Sequence, residues 1–259
     1  MKARRAEFTP QIVPGVHRLE HAGVNCYLLE GQDGLTLVDT ALPATWRYLV
    51  QALDHLGRTP ADIRAVVLTH AHFDHVGMAR RLLDTQLLEP FVDPGDAYIA
   101  RHPYRYLHER MRLQYPLRFP RALPVLVEMT VAGALAVRGV PSADLHVLRD
   151  EGGEGGELAV PGRPRVLATP GHTKGHVALH LPEADAVISG DAIVTLDPYT
   201  GAVGPRIVAG AATAGSRLAL GPVEAIGLTG AGTVLPGHGE PWREGAAAAA
   251  EAALLAGPS

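Results

Sequence analysis

Thr69-His70-Ala71-His72-Phe73-Asp74-His75 is the stretch on which the reading of the chain turns. Three imidazoles and a carboxylate follow the apolar run Ala65-Val66-Val67-Leu68 and precede a helix-like stretch, Val76 to Leu83. An apolar run without alternation reads as a strand covered on both faces, so the motif is delivered to the end of a central strand. In extended backbone, residues two apart point the same way. His70 and His72 can thus reach one metal while Ala71 faces away, and Asp74 and His75, beyond the bend, face a second position. Imidazoles and carboxylates match zinc, and also iron or manganese, in their ligand preferences.

Working outward, the same pattern recurs. Arg165-Val166-Leu167-Ala168 leads into Thr169-Pro170-Gly171-His172-Thr173-Lys174-Gly175-His176, Ala186-Val187-Ile188-Ser189 into Gly190-Asp191, and Thr233-Val234-Leu235 into Pro236-Gly237-His238-Gly239. Each time a strand ends in Gly plus a side chain able to bind a metal, which a chance set of core histidines does not produce. The spacing His-x-His-x-Asp-His differs from the helical His-Glu-x-x-His of zinc proteases, so the ligands belong on loops.

Ile12–Leu19, Asn25–Glu30 and Leu35–Asp39 read as an opening strand meander. Asp39 either caps the next segment or orients a metal ligand from behind. Pro43 to Leu56 has helical spacing, with Trp46 assigned to the core and Gly57 as a C-terminal stop. Residues 96–150 read as a helical insertion, with Tyr104, Leu107, Met111 and Tyr115 on one face and Arg101, Arg105, Arg110, Arg112, Arg118 and Arg121 making it locally basic. That basic face is either solvated or part of a lid over an anionic or amide-bearing substrate. Glu244 to Leu255 is an Ala-rich helix that covers the sheet.

Composition narrows the class. The 259 residues, 47% hydrophobic, can fill a sizeable core, and a net charge of -4 supplies no general basic field for nucleic acid. Cys26 is the sole cysteine, which excludes an intrachain disulfide and cysteine-rich zinc sites. The basic start, broken by Pro10 and Pro14, lacks the apolar stretch of a signal peptide, and Leu123 to Val137 is too short and interrupted to span a bilayer. A cytoplasmic location and no membrane partner are the resulting expectations, with a homodimer compatible.

Thr69 to His75, Pro170-Gly171-His172, Gly190-Asp191 and Pro236-Gly237-His238-Gly239, in that order, resemble the metallo-β-lactamase superfamily, as does Leu37-Val38-Asp39-Thr40. The resemblance implies an α/β fold: an αββα sandwich of two mixed β-sheets flanked by helices, with the metal site at the sheet edge and a single domain over residues 1–259. It also implies two Zn2+ ions, with Fe or Mn as alternatives. His70, His72 and His172 bind one, Asp74, His75 and His238 the other, and Asp191 bridges them. A hydroxide shared by two cations has a depressed pKa and serves as nucleophile, with Asp74 moving its proton. His176, four residues after His172, is structural rather than a ligand in similar family members.

The implied substrate is a small lactone, ester or thioester. The cluster and Gly171-His172-Thr173-Lys174-Gly175-His176 are similar to glyoxalase II, although 21 residues follow His238 where that enzyme carries a helical glutathione-binding region. The seven ligands also look like those of acyl-homoserine lactone lactonases, with Val194 in place of a tyrosine often found three residues after the bridging Asp. A mononuclear iron oxygenase of the persulfide dioxygenase type is the second reading. An RNA-processing phosphodiesterase, a non-catalytic metal-binding protein and an exported β-lactamase fit less well.

Overall fold

The computed structural model describes residues 6–141, 145–148 and 156–259. Residues 142–144 and 149–150 of the insertion, and 151–155 of the Gly/Glu segment after it, lie outside the described residues. The chain opens with strands β1 (Glu7–Val13), β2 (Val16–His21), β3 (Val24–Gly31) and β4 (Gly34–Val38). The single strand expected over Ile12–Leu19 is instead the tip of the β1–β2 hairpin: Pro14-Gly15 turns the chain, with Gly15 at φ +72°. Helix α1 (Trp46–His55) follows a 3-10 turn at Pro43–Thr45, and β5 (Ile63–Val67) then pairs parallel with β4.

The helix expected from Val76 begins later, as α2 (Ala79–Gln86). The intervening residues anchor the bend, with Gly77 N–H donating to the Ala41 carbonyl at 2.7 Å and Met78 N–H to that of Thr40 at 3.1 Å. Trp46 is only half-buried, its ring covered by the Arg81 guanidinium at 4.3 Å.

After β6 (Phe91–Val92) come α3 (Ala97–Arg101), α4 (Tyr115–Arg118), α5 (Leu123–Val131) and the short strand β7 (His146–Val147). The insertion is less helical than its periodicity predicts, since Tyr104 to Met111 is irregular. Pro103 cannot donate to a helical ladder. Farther on, Glu109 and Arg110 spend their N–H groups on the carbonyls of Thr213 and Gly210. Tyr104, Leu107 and Met111 are exposed, and the buried aromatic of the segment is Tyr106.

The second half supplies β8 (Arg165–Ala168), β9 (Val177–Leu181), β10 (Ala186–Gly190), the hairpin β11 (Val194–Leu196) and β12 (Val203–Arg206), α6 (Ser216–Gly227), β13 (Thr233–Pro236) and α7 (Ala246–Ala256). Strands β1 to β7 form one mixed sheet in sequence order, and β13-β10-β9-β8 form the second. Val16, Tyr27, Leu29 and Val67 of the first sheet pack with Leu179, Ile188 and Leu235 of the second in a dry layer between them. The outer face of the first sheet buries Leu28, Leu37 and Val66 against Leu49 and Leu53 of α1 and Leu82 of α2. That of the second buries Val187 and Val234 against Val223 of α6 and Ala249 of α7. The layers are therefore helix, sheet, sheet, helix, as expected. Among the described residues no helix is long and apolar enough to cross a membrane.

The two sheets meet at the edge where β5, β8, β10 and β13 end. Val177 N–H donates to the Thr69 carbonyl and Asn25 N–H to that of Gly237, both at 2.8 Å, so backbone bonds tie the sheets where the motif loops emerge. Gly77 is required at this edge, because a Cβ there would lie 2.6 Å from Leu42 Cα and as close to other backbone atoms. Gly77→Ala is expected to lower unfolding free energy by about 2 kcal/mol or more, as overpacking against rigid backbone does. Urea titration checks this, and an unchanged midpoint would mean that the Ala41–Leu42 backbone yields.

Candidate metal centre

Loops after four strand ends deliver the side chains. His70, His72, Asp74 and His75 follow β5, His172 follows β8, Asp191 follows β10 and His238 follows β13. The structure brings all seven together. The ligand atoms of His70, His72 and His172 lie within 4.8 Å of one another, as do those of His70, His75 and Asp191 and those of Asp74, His75 and His238. Asp191 Oδ2 lies 3.4 Å from the Nε2 atoms of both His172 and His238, and Asp191 Oδ1 lies 3.6 Å from His75 Nε2. His17, His21, His55, His146 and His180 belong to none of these groups.

Outer hydrogen bonds decide which ring nitrogen faces inward. A neutral imidazole has one N–H and one lone pair, so pinning the N–H fixes the other nitrogen as a ligand. His75 Nδ1–H donates to Asp39 Oδ2 at 3.0 Å and His238 Nδ1–H to the Gly23 carbonyl at 2.7 Å. The Thr213 hydroxyl donates to the Val208 carbonyl, which leaves its oxygen to accept from His172 Nδ1–H at 3.2 Å. Likewise the Thr69 hydroxyl donates to Asp39 Oδ2 and accepts from His70 Nδ1–H at 3.1 Å. Four rings thus present Nε2. His72 is turned differently, its Nδ1 lying 2.9 Å from His172 Nε2.

Asp39 is no helix cap. At φ +57°, it accepts from the Thr69 N–H, the Thr69 hydroxyl and His75 Nδ1–H, orienting two histidines from behind. His176 is engaged at both nitrogens: Nε2 accepts from the Asp191 N–H at 3.0 Å, and Nδ1–H donates to the Thr169 hydroxyl at 2.7 Å. Its role is to fix the Asp191 backbone.

The donor set fits divalent metal ions. Among the described residues, the buried side-chain nitrogens and oxygens without a hydrogen-bond partner are His70 Nε2, His72 Nε2, His75 Nε2, His238 Nε2 and Asp191 Oδ1, plus the remote Trp242 Nε1. Each such atom costs about 1–3 kcal/mol, and five in one cluster call for a cation to satisfy them.

The electrostatics agree at His70, His72 and His172, whereas at His75 and His238 burial is outweighed by the carboxylates around them, Asp191 foremost, which raise the imidazoles. Burial, reinforced by the neighbouring rings, drives His70 and His72 well below the ordinary imidazole range. Burial likewise takes His172 and His176 down to about 3. Burial opposes the ionised form of Asp191, yet the histidines around it, His238 foremost, hold it well below the carboxylate range. Asp74 is also held down, against its burial, by His238 and His75.

A sequence profile for the metallo-beta-lactamase superfamily matches residues 20–238. The chain belongs to that superfamily. It is 30% identical over 223 residues to an uncharacterized protein of Mycobacterium tuberculosis, covering 83% of this chain and 85% of that one. With an N-acyl homoserine lactonase from a Bacillus species it shares 25% identity over 234 residues, 76% of each chain. The matched stretches span 61% and 66% of two Bacillus subtilis relatives, less than two thirds of their lengths. Among solved structures, a metallo-beta-lactamase family protein of Thermus thermophilus superposes with a TM-score of 0.64 at 27% identity, covering 97% of this chain and 78% of that one. A protein solved in a di-iron-bound form gives 0.60 at 25% identity, covering 90% and 94%.

Two residues near the superfamily site carry no motif. Asp96 is fully buried and accepts from Ala71 N–H, Thr173 Oγ1–H and Gly175 N–H at 2.7–3.0 Å, joining the His70–His75 loop to the His172 loop; burial raises its carboxyl to about 6. In the sequence Asp96 marks only the boundary of the insertion, although Asp93-Pro94-Gly95-Asp96 is a recognisable turn. Tyr106 stacks on His72 with ring centroids 3.8 Å apart, and its hydroxyl lies 3.4 Å from that of Tyr199. Asp39→Ala is expected to weaken metal binding by about 10–100-fold, because His75 and Thr69 lose their shared acceptor. Competition with a chromophoric chelator measures it, and wild-type affinity in the variant would refute the positioning role.

Proposed function

We propose that the chain is a dinuclear metal-dependent hydrolase that opens a small lactone, ester or thioester at its carbonyl, as acyl-homoserine lactone lactonases and glyoxalase II do. The overlap of the three ligand groups carries the reading. His70 is shared by the first two and His75 by the last two, the pattern of two cations side by side. His70, His72 and His172 would hold one, Asp74, His75 and His238 the other, with Asp191 between them. Bound there, a pair of divalent cations supplies a water deprotonated near neutral pH and polarises the carbonyl under attack.

The chain's own groups complete the chemistry. Asp74 Oδ2 lies 3.4 Å from His238 Nε2, and against its burial His238 and His75 keep the carboxylate ionised, so it can accept a proton from the attacking water and return it to the leaving group. Tyr106, with Arg112 stacked over its ring at 4.1 Å, shields His72 from solvent. We assign residues 96–150 the role of a lid on this basis. The lactonase among the relatives supports a carbonyl substrate. Zinc suits the histidine-rich donors, and the di-iron neighbour makes iron the alternative. A mononuclear iron oxygenase would leave Asp74, His75 and His238 without a task, and their convergence weighs against it.

Protein purified without added metal is expected to carry about two zinc ions per chain by elemental analysis. One iron per chain with oxygen consumption would overturn the reading. On a panel of lactones and thioesters, His72→Ala should abolish turnover and Asp74→Asn should lower kcat by about 10²–10⁴-fold. Unchanged hydrolysis in His72→Ala would remove the catalytic assignment.

A further inference from the structure

Beside His172 lies a cavity of about 330 Å3. Its buried wall includes His172, Tyr106 and Asp96, and its exposed wall includes Arg105, Lys174 and Leu107. The two cations are placed by the same backbone that builds the site. Arg105 directly precedes Tyr106, whose ring stacks on His72, and Lys174 lies two residues after His172. Neither has an ion pair or side-chain hydrogen bond among the described residues. Among the described residues the one carboxylate in the wall, Asp96, forms no ion pair with either and accepts instead from Ala71, Thr173 and Gly175. The remaining surface is largely apolar and includes Ile99 and Ala214.

A largely apolar cavity lined by a candidate ligand and by two cations that have no ion pair among the described residues suits one kind of substrate. We propose that this cavity selects acyl substrates whose far end carries an oxyanion. The scissile carbonyl lies toward His172, the aliphatic chain along Tyr106 and Leu107, and the terminal anion between Arg105 and Lys174. At roughly 30 Å3 per small group, the cavity holds on the order of ten non-hydrogen atoms, enough for a five- or six-carbon acyl chain with its terminal charge. Arg105 supplies a planar fork for a carboxylate or phosphate, and Lys174 a mobile point charge. The inference rests on the hydrolase reading for its chemistry, while binding tests it separately.

The probes are two esters of equal chain length on the metal-loaded protein, 4-nitrophenyl hydrogen glutarate and 4-nitrophenyl pentanoate, which differ in a terminal carboxylate against a methyl. The wild type is expected to favour the anionic ester by about tenfold or more in kcat/KM, through KM. In the Arg105→Ala/Lys174→Ala double variant that preference should fall to about one, and in Arg105→Glu it should fall likewise. A general loss of folding lowers both rates and leaves the ratio unchanged, so the ratio isolates recognition of the anion. A wild type without preference, or a preference that survives in the double variant, overturns the proposal. If neither ester is cleaved, calorimetric titration with glutarate and with inorganic phosphate decides. Binding by the wild type that the double variant loses upholds the pocket while the hydrolase reading falls, and the stronger of the two names the oxyanion. No binding of either overturns it.

Discussion

A histidine inside a protein offers a lone pair in one direction only if its other nitrogen is held by an acceptor, and the site depends on that constraint. Asp39, Thr69, Thr213 and the Gly23 carbonyl each hold one Nδ1–H, so His75, His70, His172 and His238 turn Nε2 toward a common point. These acceptors come from the end of β4, the β5 loop, the segment before α6 and the β2–β3 turn. The donor cluster is as rigid as the packing of the two sheets, because its supports are spread over both. Asp191 follows the same rule at its backbone, where its N–H is fixed by His176.

Placing so many polar groups in a dry edge is unfavourable unless every remaining donor and acceptor finds a partner. The chain meets this with bonds between its halves. Arg18, almost fully buried, binds Glu240 with two guanidinium nitrogens at 2.6 and 2.9 Å and Asn25 with Nε at 3.0 Å. Asn25 in turn donates to the Pro236 and Gly239 carbonyls that flank His238. Gly237 is required beside it, since a Cβ there would meet Asp191 Oδ1 and come within 2.9 Å of the His75 ring. The His238 loop thus approaches the cluster more closely than a residue with a side chain permits.

Residues 96–150 show where periodicity misleads. Tyr104, Leu107, Met111 and Tyr115 recur at helical spacing, yet only Tyr115 is buried, at 5% exposure against 42% for Tyr104 and 60% for Met111. Backbone bonding to the 210–213 segment replaces the helical ladder, and Tyr106, the one buried residue between Tyr104 and Met111, reaches His72. Hydrophobic spacing reports a face only when a regular element exists to have one. Asp96 has no sequence signature for a related reason: a carboxylate that serves two loops distant in sequence has no local pattern around it.

By itself the sequence determined the candidate metal-binding side chains and the strand ends that carry them, and its resemblance to the superfamily implied the layer order. Ligand chemistry is written in residue type, and strand ends are written in apolar runs that stop at Gly, as at Ser189-Gly190-Asp191 and Leu235-Pro236-Gly237-His238. Tertiary structure alone decided which ring nitrogen each histidine presents, that His176 props a backbone while His172 faces the cluster, and that Asp39 and Asp96 work from behind. Several of those outcomes depend on hydrogen bonds between residues far apart in the sequence, such as His238 with Gly23. Only the closure of one sheet on the other brings such partners within 3 Å, and no local pattern of residues encodes it.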